Sequence, residues 1–102
     1  MLIEFHRRML ADPIRSAAFR EALRRVIRPG ETTVADIGAG TGVLGFMARQ
    51  LGAAKVHLIE HGQVMELSER IAERNGLGGI EFWPMHSTEI LDPPKVDVVV
   101  CE

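Results

Sequence analysis

A predicted buried strand runs directly into a glycine-rich turn in the segment VADIGAGTGVL. Asp36 precedes three glycines at alternate positions, Gly38, Gly40 and Gly42. Glycines let a backbone approach a ligand closely, and the helix that follows begins with unpaired N–H groups. A second acid, Glu60, ends the next predicted strand, where its carboxylate is placed to accept hydrogen bonds from ribose hydroxyls. The arrangement therefore predicts a binding site for an adenosine-type cofactor.

The glycine spacing narrows the choice of cofactor. The dinucleotide fingerprint G-x-G-x-x-G requires a glycine where this chain has Val43, and the third glycine comes one residue earlier, at Gly42. This spacing disfavours a dehydrogenase. The pattern D-x-G-x-G-x-G resembles motif I of the class I S-adenosylmethionine-dependent methyltransferases, whose loop wraps the methionine part of the cofactor. A tight strand-to-helix turn of any α/β protein would also explain the loop, but not its spacing to Glu60.

Length and composition limit the class of protein. The 102 residues, 46% of them hydrophobic, suit one small domain with a modest core. No apolar run approaches the roughly 20 residues that span a bilayer, so no membrane partner is expected. The single cysteine, Cys101, excludes an internal disulfide and is expected to be a small buried residue of an apolar strand. No Cys/His spacing indicates a metal site, and a reducing cytoplasmic location is the default expectation.

Charge is distributed unevenly along the chain. Residues 1–30 hold seven arginines and three acids, whereas the formal net charge of the chain is −2. The surplus predicts a solvated, arginine-rich helix face, with one arginine near an anionic cofactor group as the alternative. Nucleic acid is disfavoured as a partner, because no aromatic residues are interleaved with these arginines and the chain as a whole is acidic.

Helical and strand patterns alternate along the chain. A helix begins at Asp12-Pro13 and stops at Pro29-Gly30, and two more are predicted over 43–51 and 63–75. The apolar periodicity places on their inward faces Ile14, Ala18, Ala22, Val26 and Ile27 in the first helix, and Val64, Leu67 and Ile71 in the last. Strands are predicted over 33–37, 55–60, 80–83 and 96–101.

Near-continuous apolar strands separated by helices predict an α/β fold with a parallel sheet covered on both faces. The whole chain, 1–102, is interpreted as one domain, with an N-terminal helical segment over 1–30 and a core over 31–102. Ending at position 102 leaves strand 96–101 as an apolar edge, and such edges tend to pair with another strand. We therefore expect either a longer parent protein or self-association through this edge.

Three further strings carry a closer resemblance. HRRMLADPIR precedes the glycine loop, VHLIE contains Glu60, and VDVVVCE closes the chain. Together they are similar to the cofactor domain of protein arginine methyltransferases. The most specific part is H-x-x-M-L-x-D-x-x-R, because generic class I methyltransferases lack it. The resemblance covers the chain from about His6 onward and implies a Rossmann-like sheet of about four strands in the order 3-2-1-4.

The resemblance also implies S-adenosylmethionine as cofactor, with S-adenosylhomocysteine as product, and a role for each matching position. His6 and Met9 would lie over the cofactor, and Arg15 would pair with the carboxylate of its methionine part. The adenine would be bordered by Ser87, Thr88 or Glu89. The remaining cofactor positions are those of the glycine loop and the following strand, namely Asp36, Gly38, Gly40, Gly42 and Glu60.

Glu102 matches the first glutamate of the family's two-glutamate substrate loop and is the one predicted catalytic residue. Two such carboxylates clamp a guanidinium, and the remaining nitrogen attacks the methyl group in line with the sulfur. Three functions stay open. The first is methyl transfer to arginine in a protein; the second is transfer to another side chain or a small molecule; the third is a non-catalytic cofactor-binding or structural module. We expect the isolated chain to bind the cofactor without turnover.

Overall fold

The computed structural model describes residues 12–101 of the chain. His6, Met9 and Glu102, which have roles predicted above, lie outside these residues. The described part contains three α-helices and four β-strands. The helices are α1 (Pro13–Val26), α2 (Val43–Gln50) and α3 (Val64–Arg74); the strands are β1 (Thr33–Ile37), β2 (Lys55–Ile59), β3 (Ile80–Trp83) and β4 (Val98–Cys101). A short 3-10 turn, Ser87–Glu89, lies between β3 and β4.

The four strands form one parallel sheet in the order β3-β2-β1-β4, which confirms the predicted order. Strand β2 is one residue shorter than predicted, and β4 begins at Val98 rather than at Val96. At the start of β4, the Asp97 carboxylate Oδ2 accepts the Thr33 N–H at 2.9 Å. The Asp97 N–H in turn donates to the Thr33 carbonyl at 2.9 Å, so one backbone and one side-chain hydrogen bond join these residues just before the paired register begins.

Helix α1 begins as predicted, but its buried face differs from the predicted one. Asp12 Oδ1 accepts the N–H groups of Ile14 and Arg15 at 3.1 Å, the interaction expected of an N-cap. The side chains that enter the core are Leu23 and, just beyond the helix, Ile27, whereas Ile14 is 82% exposed. The predicted inward positions Ala18, Ala22 and Val26 are exposed as well. The prediction thus holds at Ile27 alone, and the rest of the inward face is shifted by one residue, to Leu23.

A similar shift occurs in α3. The predicted inward residue Leu67 is exposed, and Val64 and Ile71 are half-buried. The fully buried positions are instead Met65, Ser68 and Ala72. The Ser68 hydroxyl donates to the Met65 carbonyl at 2.7 Å, so its burial leaves no unpaired polar group. Two small side chains, Ser68 and Ala72, therefore face the core beside Met65.

All three helices pack on one face of the sheet. Their buried side chains form a single core cluster with Val34, Val56 and Leu58, which point to that face. Because parallel crossovers are right-handed, the steps from β1 to β2 and from β2 to β3 place α2 and α3 on the same side. The reverse step, from β3 to β4, contains only the 3-10 turn. Within residues 12–101, helices thus cover one face, where two covered faces were predicted.

The outer strand β4 is more exposed than predicted. Its register places Val98 beside Val34 and Cys101 beside Ile37. Val99 is 56% exposed, and Cys101 is exposed rather than buried. The apolar composition of β4 suggested burial, but alternate side chains of this strand point away from the helices. No helix within residues 12–101 combines the length and apolar character needed to cross a bilayer.

The arginines near the end of α1 form a solvated face, as predicted. Arg24 and Arg25 both bind the Glu21 carboxylate, and their side chains are 62% and 73% exposed. Hydrogen bonds from Arg24 and then from Arg25 lower the pKa of Glu21 to about 2. These charges pair with one another along the helix.

His57 is buried on the sheet face away from the helices. Its Nδ1 accepts the Trp83 indole N–H at 3.1 Å, and Nδ1 lies 3.4 Å from Glu81 Oε2. Burial lowers the pKa of His57, and the facing Glu81 carboxylate only partly opposes that shift. The geometry agrees with this direction, because a protonated Nδ1 would lose the indole as a donor.

Replacing Gly45 with alanine should destabilise the fold. A Cβ at this position would overlap Leu58 Cδ2 and come within 3.1 Å of Val56 Cγ1. We expect Gly45→Ala to lower the free energy of unfolding by about 1–3 kcal/mol in urea titrations. The matched control is Gly78→Ala, because a Cβ there meets nothing within 4 Å. Equal stability of the two variants would contradict the close contact between α2 and β2.

The buried His57 should make stability depend on pH. Because its pKa is lower in the folded than in the unfolded chain, this contribution is complete above pH 6.5 and is lost as the pH falls through and below that value. Urea titrations at several pH values between 5 and 8 should show a smaller pH dependence for His57→Gln, which keeps an acceptor for Trp83. An identical slope in the two proteins would show that His57 does not contribute.

Candidate functional site

The three glycines of the loop adopt backbone conformations that other residues rarely reach. Gly38, Gly40 and Gly42 have φ angles of 67°, 60° and 92°, all in the left-handed region. A Cβ on Gly38 would meet nothing within 4 Å, whereas one on Gly42 would lie 2.9 Å from Phe46 Cζ. Gly42 thus lies against the core, while Gly38 borders open space in which a ligand could contact the backbone.

The carboxyl end of β2 holds this loop in place. The Ile59 carbonyl accepts two N–H groups, from Gly38 at 2.8 Å and from Ala39 at 3.0 Å. Glu60 Oε1 accepts the Gly40 N–H at 2.8 Å, across twenty positions of sequence. The predicted loop and the predicted acid therefore meet directly.

The second carboxylate oxygen of Glu60 also accepts a hydrogen bond. Its Oε2 accepts the Gly62 N–H at 2.8 Å and lies 3.6 Å from His61 Nδ1. The side chain is nearly buried, and bonds to a carboxylate are stronger than those between neutral groups. Each oxygen carries two acceptor positions, and each receives one backbone N–H, so further donors such as hydroxyls can still bind.

Asp36, in the strand before the loop, bonds to the helix that follows the loop. Its side chain is 2% exposed, and Oδ2 accepts the Gly45 N–H at 3.1 Å. Gly45 is in the first turn of α2, whose N–H groups have no partner within the helix. The carboxylate therefore ties the start of α2 to β1, and its predicted role in shaping the loop agrees with this position.

The other predicted positions lie on α1 and on the 3-10 turn after β3. Arg15 is on the first turn of α1, with its Cζ 5.2 Å from the centre of the Phe19 ring. Ser87, Thr88 and Glu89 form the 3-10 turn after β3, where Glu89 Oε1 accepts the His86 N–H at 2.9 Å. These residues are half-buried or exposed, and their predicted contact with adenine stays a prediction.

Two features of the site were not predicted from the sequence. Gly45 lets α2 approach β2, and a glycine inside an otherwise apolar helix could have signalled this. His61 and His86 stack with ring centres 3.8 Å apart and ring planes 14° apart, which joins the loop after β2 to the turn after β3. Nothing in their spacing indicates this contact. The described part of the chain contains no group of three or more His, Cys, Asp or Glu residues that could hold a metal ion.

The known proteins that this chain resembles are methyltransferases. A model of the ribosomal protein L11 methyltransferase (PrmA) family matches residues 19–102. The histone-arginine methyltransferase CARMER of Drosophila mojavensis is 36% identical over 96 residues, which is 92% of this chain but 18% of that protein. The chain thus spans about a fifth of the length of such relatives.

Solved structures agree with this likeness. Arabidopsis thaliana protein arginine methyltransferase 10 superposes with a TM-score of 0.87 at 28% identity, over 99% of this chain and 30% of that one. The Trypanosoma brucei PRMT1 enzyme-prozyme complex with AdoHcy gives a TM-score of 0.84 at 30% identity, over 96% of this chain and 32% of that one. The predicted resemblance to arginine methyltransferases and the predicted fold class are confirmed.

Proposed function

The chain belongs to the ribosomal protein L11 methyltransferase (PrmA) family of class I methyltransferases, and we propose that it is the S-adenosylmethionine-binding part of a protein arginine methyltransferase. The cofactor assignment rests on one hydrogen bond, from the Gly40 N–H to the Glu60 carboxylate, which joins the glycine loop to the acid that follows β2. The similarity to arginine methyltransferases over 92% of the chain favours arginine as the acceptor.

The described residues fit this cofactor. Glu60 keeps acceptor positions for the two ribose hydroxyls while it holds the loop. The open space at Gly38 admits the methionine part against the backbone. When bound, the cofactor supplies a methyl group on a positively charged sulfur. The chain's own contribution is to hold that group in one orientation, the kind of positioning that can lower a barrier by about 7–11 kcal/mol in favourable cases.

Arg15 is the residue we propose for the cofactor's carboxylate. Its planar guanidinium can donate two parallel hydrogen bonds to a carboxylate. α1 and α2 belong to the same core cluster, and the segment after α1 meets the end of α2 where the Gly30 N–H donates to the Gly52 carbonyl at 2.8 Å. This contact joins the ends of the two helices, and we propose that Arg15, on the first turn of α1, reaches the cofactor from the start of that helix.

The acceptor arginine is proposed to bind where β4 ends. Cys101 is aligned with Ile37, the residue before Gly38, so β4 leads the chain to the same edge of the sheet as the glycine loop. Glu102 follows in sequence and is the carboxylate proposed to bind the substrate guanidinium. His6 and Met9 are proposed to cover the cofactor. All three residues lie outside the described range, and their roles rest on the resemblance alone.

A second candidate is methyl transfer to a different protein side chain. It is favoured by the matching family model, whose description names a ribosomal protein as the substrate. The cofactor site is the same in both candidates, so only the acceptor separates them. For partners we propose an acceptor protein and, at the exposed side of β4, another strand from this or a second chain. The cytoplasm is the proposed location.

Binding of S-adenosylhomocysteine tests the cofactor site. We expect saturable binding by calorimetry to the purified chain, with NAD as a ligand that does not bind. Glu60→Gln should weaken binding by about 10- to 100-fold, because a charged acceptor for the ribose hydroxyls is lost. The matched control is Glu69→Gln, an exposed acid on α3, which should bind like the wild type.

Circular dichroism on each variant separates loss of binding from loss of folding. A folded wild-type chain that does not bind S-adenosylhomocysteine would contradict the proposed cofactor. Unchanged binding by a folded Glu60→Gln variant would contradict the role given to Glu60.

The acceptor is tested with the protein in its full natural length, labelled S-adenosylmethionine and two matched peptides. One peptide is rich in arginine, and in the other every arginine is replaced by lysine. We expect label in methylated arginine after acid hydrolysis of the first peptide and none in the second. Label found only in the lysine peptide would reject arginine and support the second candidate.

A further inference from the structure

A buried histidine joins β2 to the last residue of β3 on the sheet face away from the helices. His57 is 6% exposed, and its Nδ1 accepts the Trp83 indole N–H at 3.1 Å. Nδ1 can accept this bond only while it carries no proton. The same atom lies 3.4 Å from Glu81 Oε2, an acceptor that can bond to Nδ1 only when Nδ1 is protonated. Two partners with opposite requirements therefore face one nitrogen.

The charged groups around His57 come from β2 and β3. Lys55, on the same strand, has its Nζ 3.2 Å from Glu81 Oε2, and Glu81 is aligned with His57 across the β2–β3 pair. On the β1 side the aligned residue is Ala35, which carries no charge. Burial lowers the pKa of His57 most, Glu81 opposes that shift, and Lys55 adds to it. Protonation of His57 would thus exchange the indole for a carboxylate as its bonding partner.

The main chain of Trp83 holds the acid that the proposed function gives to the ribose. The Trp83 carbonyl accepts the Glu60 N–H at 3.1 Å and the Met85 N–H at 2.8 Å. In the described sheet, β3 is an outer strand of four half-buried residues that pairs with β2 alone. An outer strand has backbone partners on one side only, so the bond from the indole to His57 is an added restraint on the position of that carbonyl.

We propose that Trp83, held by unprotonated His57, positions Glu60 for the ribose, and that protonation of His57 weakens cofactor binding by releasing the indole. The inference rests on the proposed function, because it concerns the same carboxylate. Glu60 contacts the ribose, whereas His57 and Trp83 are positioning residues that act through it. The cofactor affinity is therefore highest near pH 8 and falls as the pH goes below 6.5, the ordinary pKa of histidine.

The fluorescence of Trp83 reports the bond directly, because Trp83 is the single tryptophan of the chain. In the ligand-free chain, its emission should change between pH 8 and 5 with a midpoint below pH 6.5. The change should be far smaller in His57→Asn, whose Oδ1 takes the place of Nδ1 as acceptor and does not titrate.

Two half-exposed neighbours should shift this midpoint in opposite directions. Glu81→Gln should move the midpoint to lower pH, because the charge that favours protonated His57 is lost. Lys55→Gln should move it to higher pH, because a charge that disfavours protonated His57 is lost. Since neither side chain is in the core, these variants keep the test available even where His57→Asn does not fold. Equal midpoints in both variants and the wild type would overturn the inference.

Calorimetry with S-adenosylhomocysteine measures the effect on the site. We expect the wild-type affinity to fall by about 2- to 10-fold between pH 7.5 and 5.5, the range for one hydrogen bond. His57→Asn should retain most of its affinity at pH 5.5. Trp83→Phe, which lacks the indole N–H, should bind more weakly than the wild type at pH 7.5. His61 and His86 are present in all three proteins, so the difference between the profiles belongs to the His57–Trp83 bond.

Coupling between two equilibria is reciprocal, so saturating S-adenosylhomocysteine should move the fluorescence midpoint of the wild type to lower pH. Circular dichroism at each pH shows that the compared proteins are folded. Equal affinity profiles of the wild type and His57→Asn would overturn the inference and leave the proposed function standing, as would a midpoint that the bound ligand does not move. A folded wild-type chain that does not bind the ligand at pH 7.5 would reject the proposed function and this inference with it.

Discussion

The candidate site depends on the attachment of the glycine loop to the last residue of β2 and to Glu60, which follows it. The Ile59 carbonyl and the Glu60 carboxylate together accept the N–H groups of Gly38, Ala39 and Gly40. A loop of left-handed glycines has little preference for one shape on its own, because glycine has the largest conformational freedom of any residue. The neighbouring strand therefore provides the order, and the same carboxylate that orders the loop is offered to the ligand.

The attachment in turn requires that α2 lie close to the sheet. Gly45 has no side chain where Leu58 packs, and its N–H donates to the buried Asp36 carboxylate. Asp36 thus joins β1 to α2, the absent side chain of Gly45 lets α2 pack on Leu58 of β2, and the Glu60 carboxylate after β2 holds the loop between β1 and α2. The two ends of the loop differ, because a Cβ on Gly42 would meet Phe46 and Leu58, whereas one on Gly38 would meet nothing within 4 Å.

The helix faces show where periodicity was insufficient. In α1 the predicted stripe was Ile14, Ala18, Ala22, Val26 and Ile27, yet of these residues the structure buries only Ile27, together with Leu23. In α3 the small residues Ser68 and Ala72 face the core, while Leu67 is exposed. Two adjacent apolar stripes on one helix have nearly the same spacing, so spacing alone does not show which of them faces the core. The choice between them is made by the shape of the sheet surface against which they pack.

The sequence by itself determined the start of α1 at Asp12 and Pro13, the alternation of helices and strands, the loop with its three glycines and the acid that follows β2. These follow from local rules of capping, turn conformation and alternation, which act between residues near one another in the chain. Only the tertiary structure decided that Glu60 bonds to Gly40, that Gly45 lies against Leu58 and that His61 stacks on His86. Those contacts join residues that lie 13 to 25 positions apart in the sequence and meet only after the parallel strands have been aligned. Register and crossover geometry set their distances, and no local pattern encodes either one.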